Sequence, residues 1–190
     1  MKYHDALKNG IAQRRPPAEL ARKLFLSYPT SVFVDNEELQ FEILNDVSNH
    51  FKIPYMNVQV VGSAKAGFSY FNNYDFKPGK SDLDLAIIDI NLFTQYSEIA
   101  YSVTQKYNNL TRFSSVDTYR SFVKYLAKGI FRPDMMPKSF EKTAWFNYFN
   151  KLSTNYYKLF RDINAGIYAN QFFFERRQES VVADYRRYVK

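Results

Sequence analysis

Asp82 and Asp84, in Ser81-Asp82-Leu83-Asp84-Leu85-Ala86-Ile87-Ile88, are the residues of this 190-residue chain whose type and spacing best suit chemistry. Successive side chains of a strand point to opposite faces, so the two carboxylates share one face and Leu83, Leu85 and Ile87 the other. A rise of roughly 3.3 Å per residue puts them about 6.6 Å apart along the strand, where their oxygens can converge on one or two hard cations. Mg²⁺ takes oxygen ligands and is usually held by one or two carboxylates plus substrate phosphates, so Mg²⁺ (or Mn²⁺) is the expected cofactor. Upstream, Val58-Gln59-Val60-Val61-Gly62-Ser63 reads as an apolar strand ending in a Gly-Ser turn. Gly62 lets a phosphate approach the backbone, Ser63 can open a helix whose free N–H groups favour an anion, and Lys65 adds a point charge. Gly62, Ser63 and Lys65 are therefore the candidate nucleotide-binding residues, and Asp82 and Asp84 the candidate metal ligands. Each half has a plain alternative, an ordinary turn and a solvated strand edge.

In this order the residues resemble the signature of the DNA polymerase β-like nucleotidyltransferase superfamily, Gly-Ser after one strand and Asp-x-Asp on the next. The likeness covers residues 58–88 and leaves the rest of the chain unassigned. It implies an α/β (α+β) fold, a small mixed β-sheet flanked by several helices. It further implies an NTP substrate held through its phosphates and divalent metals on the aspartates. Members move a nucleoside monophosphate to a protein, nucleic acid, small molecule or second nucleotide, releasing pyrophosphate. Residues 64–80 form a longer connection than is usual there, rich in aromatics: Phe68, Tyr70, Phe71, Tyr74 and Phe76. That insertion is nearer to the branches related to signalling-nucleotide synthases, antiviral defence and toxin–antitoxin systems.

Active members of the superfamily place a third carboxylate on a neighbouring strand. Asp162 is the choice here, because it opens Ile163-Asn164-Ala165-Gly166-Ile167-Tyr168, a candidate late strand. Asp134 follows Pro133 and reads as a turn residue, and Asp89 has the wrong parity to face the pair. Gly79-Lys80-Ser81 matches the tail of a P-loop, but position 74 is Tyr where Gly is needed. A calcium loop fails at Ala86 and Ile87.

Composition bounds these readings. The length suits one domain with N-terminal and C-terminal helical extensions. With no Cys and only His4 and His50, thiolate nucleophiles, disulfides and Cys- or His-based zinc centres are excluded or disfavoured, and a reducing cytoplasm fits. No signal peptide or membrane-length apolar run is visible. A net charge of +7 with 18% aromatic residues suits a polyanionic substrate, or single-stranded nucleic acid stacked on rings.

The elements that must position the aspartates follow from periodicity. Helices are expected over residues 18–28 and from Asp35-Asn36-Glu37-Glu38 to Pro54, with Phe41, Leu44, Val47, Ser48 and Phe51 at helical spacing. Strands are expected over 57–61 and 82–90. Next come an apolar stripe of Leu92, Tyr96, Ile99, Val103 and Tyr107, and a second of Val116, Tyr119, Phe122, Val123 and Leu126, stopped by Gly129. A helix from Pro137 or Ser139 to Leu152 carries Phe140, Ala144, Trp145 and Tyr148. A last one, over 171–190, turns Phe174, Val181, Tyr185 and Tyr188 inward and leaves Arg176, Arg177, Arg186 and Arg187 outward, by default a solvated face, or else available to bind phosphate or a partner. Three functional expectations stand: an active nucleotidyltransferase, a nucleotidyltransferase-like nucleotide- or partner-binding module without catalysis, and a basic nucleic-acid-binding protein.

Overall fold

The sheet is mixed, four strands in the order β1-β2-β4-β3, as seen in a computed structural model describing residues 2–69 and 74–188, with side chains of 3–69 and 74–185. β1 is Val58–Val61, β2 Leu83–Ile88, β3 Ile130–Phe131 and β4 Ile163–Tyr168. β1 runs antiparallel to β2, β2 parallel to β4, and β3 antiparallel to β4. Among the described residues there are eight α-helices: α1 (Lys2–Ala12), α2 (Pro17–Arg22), α3 (Glu37–Phe51), α4 (Gly62–Ala66), α5 (Ile90–Val103), α6 (Val116–Leu126), α7 (Phe140–Asn155) and α8 (Gln171–Tyr188). The protein is thus of the mixed α+β class. No helix among the described residues is long and apolar enough to cross a membrane.

Alternation along β2 gives the sheet two different faces. Leu83, Leu85 and Ile87 point with Val58, Val60, Ile163 and Ile167 into a core shared with α3, α5 and α7, through Val47, Tyr96 and Trp145. Each fully buried side chain of this size contributes roughly 1.5–3 kcal/mol, which fixes the register of β2 and hence the side on which Asp82 and Asp84 emerge. On the opposite face Ala86, Ile130 and Tyr168 pack under Phe174, Val181 and Val182 of α8 and Leu20 and Leu24 from the α2 region. The helices cover only the half of this face nearest Ala86 and Ile88. The half that carries Asp84 and Asn164 keeps contact with solvent.

Several boundaries differ from expectation for local reasons. The helix expected over 18–28 is α2 followed by a π-helical turn, Lys23–Ser27. β2 stops at Ile88 because Asp89 caps α5, accepting from the Leu92 N–H, so Ile90 is helical. Tyr107 lies beyond α5, in a left-handed run with Gln105 and Lys106, yet its ring still meets Phe122. Phe140, expected inward, is 82% exposed at the first turn of α7, whose cap is Ser139. α1 was not expected from periodicity. Tyr70 and Phe71 lie outside the described residues, as do the side chains of Arg186, Arg187 and Tyr188.

Candidate functional site

Register brings the two halves of the expected motif together. Val61 pairs with Asp84 across β1 and β2, so the chain leaves β1 at Gly62 beside that carboxylate. A methyl group built on Gly62 would lie 2.7 Å from Asp84 Oδ2, and Gly62 has φ +67°, which L side chains rarely adopt. Glycine is required twice over, by backbone conformation and by the approach of the acid. Ser63 follows in the single turn of α4.

Across the sheet, the parallel pairing of β2 with β4 puts Asn164 beside Asp84. The pairing extends backward: Leu83 N–H donates to the Asp162 carbonyl, and Arg161 N–H to the Ser81 carbonyl. Asp82 and Asp162 therefore stand side by side before their strands. Arg161 joins them, with Nη2 2.6 Å from Asp82 Oδ2 and Nε 3.2 Å from Asp162 Oδ2. From the far edge Arg132, one residue past β3, falls in register opposite Gly166 and on the carboxylate face. Its guanidinium makes two 2.8 Å bonds to Asp134.

These groups border one cavity of about 600 Å³, lined by Gly62, Ser63, Asp82, Asp84, Arg132, Asp134, Arg161, Asn164, Gly166, Tyr168, Arg177 and Gln178 among others. Asp84 is exposed to solvent, yet it sits in a concavity walled by protein, where neighbouring atoms displace much of its water. Burial and the neighbouring Asp82 charge push its carboxyl from 3.8 to about 6, against the opposing pull of Arg132 and Arg161. Asp82 Oδ1 is buried and makes no hydrogen bond among the described residues. A crowded acid pair with one unpartnered oxygen is a donor set that suits a hard divalent cation. Among the described residues no group of three or more His, Cys, Asp or Glu side chains gathers.

The candidate residues divide accordingly. Gly62, Ser63, Asp82 and Asp84 meet in the cavity. Lys65 does not: its amine is buried and donates to the Tyr28 carbonyl at 2.7 Å, so it fastens α4 to the preceding segment and is no phosphate ligand in this arrangement. Burial lowers this amine to about 8. Asp162 lies beside Asp82 and does not line the cavity; its carboxyl holds Arg161 and is half exposed. Beside Asp84, where a third carboxylate would close the set, stands Asn164. Asp134, set aside as a turn residue, borders the cavity through Arg132, while Asp89 accepts from Asn57 and caps α5, away from the pair.

Arg132, Arg161, Asn164, Arg177 and Gln178 are lining residues that the sequence reading did not assign to the site. One signal was present: Asp162-Ile163-Asn164 repeats the polar, apolar, polar alternation of Asp82-Leu83-Asp84. Arg177, read as outward-facing and by default solvated or else able to bind phosphate or a partner, lines the cavity. No family model, curated protein or solved structure matches the chain.

Proposed function

We propose that the protein is a divalent-metal-dependent nucleotidyltransferase that moves a nucleoside monophosphate from an NTP to an acceptor hydroxyl. The observation that supports this reading is the approach of the Gly62 backbone to Asp84, with the Gly62-Ser63 turn and both carboxylates lining one cavity. The cavity volume suits a ligand the size of a nucleotide.

In this scheme Gly62 and the Ser63 N–H take the triphosphate, and Asp82 and Asp84 hold Mg²⁺ or Mn²⁺. The bound cation would offset charge on the attacking and departing oxygens. Arg132 and Arg161 border the same cavity and supply positive charge that the phosphates could meet, so little covalent help from the protein is required. The acceptor oxygen bonds to the α-phosphorus as the α–β phosphoanhydride P–O bond breaks. Pyrophosphate leaves with that electron pair, and the hydroxyl proton passes to water at the mouth.

A second reading, a nucleotide-binding module without catalysis, is favoured by Asn164 beside Asp84 and by the Arg161 guanidinium on Asp82. Incubation with each radiolabelled NTP and Mg²⁺ or Mn²⁺, with and without cell extract as acceptor source, separates the two. Pyrophosphate release that falls at least about 100-fold in Asp82→Ala and Asp84→Ala, both still folded, is the expected result. Binding of NTP without any release would favour the module.

A further inference from the structure

Arg177 of α8 is partly buried, lines the cavity, and makes no ion pair or hydrogen bond among the described residues. The other arginines of the lining are engaged, Arg161 with Asp82 and Asp162, and Arg132 with Asp134. Arg132 uses Nε and Nη2 for its pair and lies over the Tyr125 ring, 5.2 Å from the centroid, which leaves its Nη1 N–H groups without a partner among the described residues. Arg132 and Arg177 act on one buried group. Burial pushes the Tyr168 hydroxyl up to about 12, and Arg177 and Arg132 both pull against that rise. Asp84 also acts on Tyr168, but in the nucleotidyltransferase scheme its charge belongs to the metal. Asp134 offsets one of the two guanidiniums, and the other is left over. Like charges held near each other in a partly buried place favour an added anion.

Position relative to the acids tells which anion this is. Strand order puts the Gly62-Ser63 turn on one side of Asp84, and Arg132, past β3, two strands away on the other. Tyr168, the group that senses Arg177, pairs with Ile130 of β3 on that same far side. In an in-line displacement the attacking oxygen enters opposite the departing one. With pyrophosphate leaving at Gly62 and Ser63, the acceptor therefore approaches from the side of β4 and β3. We infer that Arg132 and Arg177 hold a phosphate group of the acceptor, so that the acceptor is a phosphate ester with a free hydroxyl and not a neutral alcohol. This rests on the nucleotidyltransferase reading of the same cavity. Guanidinium forks bind phosphate oxygens through paired, charge-assisted N–H donors, and Arg177 brings a full set.

The test is calorimetric titration of ribose 5-phosphate, with ribose as the neutral control, into protein saturated with Mn²⁺ and the α,β-methylene NTP analogue that binds it best. Ribose 5-phosphate should bind the wild type at least about tenfold more tightly than ribose, and Arg177→Met and Arg132→Met should each remove most of that difference. Arg176→Met, an exposed neighbour on α8, should leave it unchanged. Arg132 is tied to Asp134 and Tyr125, so if Arg132→Met does not melt cooperatively, Arg177→Met decides the matter. Ribose 5-phosphate that binds no better than ribose, or whose affinity survives in both variants, overturns the inference and leaves the nucleotide reading standing. Analogue affinity that falls as far as ribose 5-phosphate affinity in Arg177→Met also overturns it, because the arginine then serves the NTP. Absence of binding by all four analogues removes the nucleotide reading and the acceptor role together.

Discussion

Arg161 Nη2 lies 2.6 Å from Asp82 Oδ2, so the first carboxylate of the acid pair already holds a positive charge supplied from the neighbouring strand. The guanidinium is largely exposed and comes from Arg161, two residues before β4, at the border of the cavity.

Arg161→Met should therefore tighten Mn²⁺ binding to the nucleotide-free protein severalfold, because Asp82 then lacks its competing cation and repels Asp84 more strongly. NTP affinity should fall in the same variant. Calorimetry measures both, and unchanged Mn²⁺ affinity would mean that Arg161 does not compete for the acid.

Asp84→Asn should stabilise the metal-free protein while abolishing turnover. The carboxyl titrates at about 6 when folded against 3.8 as the ordinary value, so between those pH values the folded state holds more protons. Stability therefore falls as pH rises from about 4 to 6, and the loss is complete above that. Discounted for solvent contact, the asparagine should recover about 1 kcal/mol at pH 7, or about 2–4 °C in Tm. Melting curves at pH 4 and 7 check the sign: the gain must appear at pH 7 and vanish at pH 4. Mn²⁺ should raise the wild-type Tm at pH 7 and much less at pH 5.

Gly62→Ala faces both a left-handed backbone and the Asp84 oxygen 2.7 Å away. Backbone strain alone costs about 1–2 kcal/mol, and the displaced carboxylate should weaken Mn²⁺ binding beyond what the lost stability explains. A variant with wild-type Tm and wild-type Mn²⁺ affinity would show that the turn is not held against the acid.

Gly166 lines the cavity, and a Cβ there would meet only the Phe131 carbonyl oxygen at 3.8 Å. Gly166→Val should fold with a Tm near wild type and lose nucleotide binding by steric filling. Retained nucleotide affinity would place the ligand elsewhere.

Lys65 separates structure from binding. Burial lowers its amine to about 8 from 10.5, so between those values the unfolded chain holds more protons and stability rises with pH. Lys65→Met should erase that rise relative to wild type and leave NTP affinity unchanged. A large loss of NTP affinity in a well-folded Lys65→Met would restore the lysine as a ligand.

The local signals in the sequence were short-range ones: a strand ending at Gly62, two acids of equal parity on the next strand, apolar stripes at helical spacing, and a helix start at Pro137 or Ser139. Each depends only on neighbours within about a turn or two of chain, where periodicity and capping chemistry operate. Those rules placed β1, β2, α3, α5, α6 and most of α7, and gave Asp82 and Asp84 a common face. They failed at Lys65, whose amine finds the Tyr28 carbonyl, and they left open whether Arg177 faces solvent or a ligand, where α8 brings it to the cavity.

What stands beside the acids was decided by strand order alone. Because β4 inserts between β2 and β3, Asn164 falls next to Asp84, Arg161 reaches Asp82, and Arg132 comes in from the far edge opposite Gly166. Those partners are about 50 to 80 residues from the acids along the chain. No local periodicity links them, so only the burial of Leu85, Ile163 and Ile167 in a shared core brings them to one cavity.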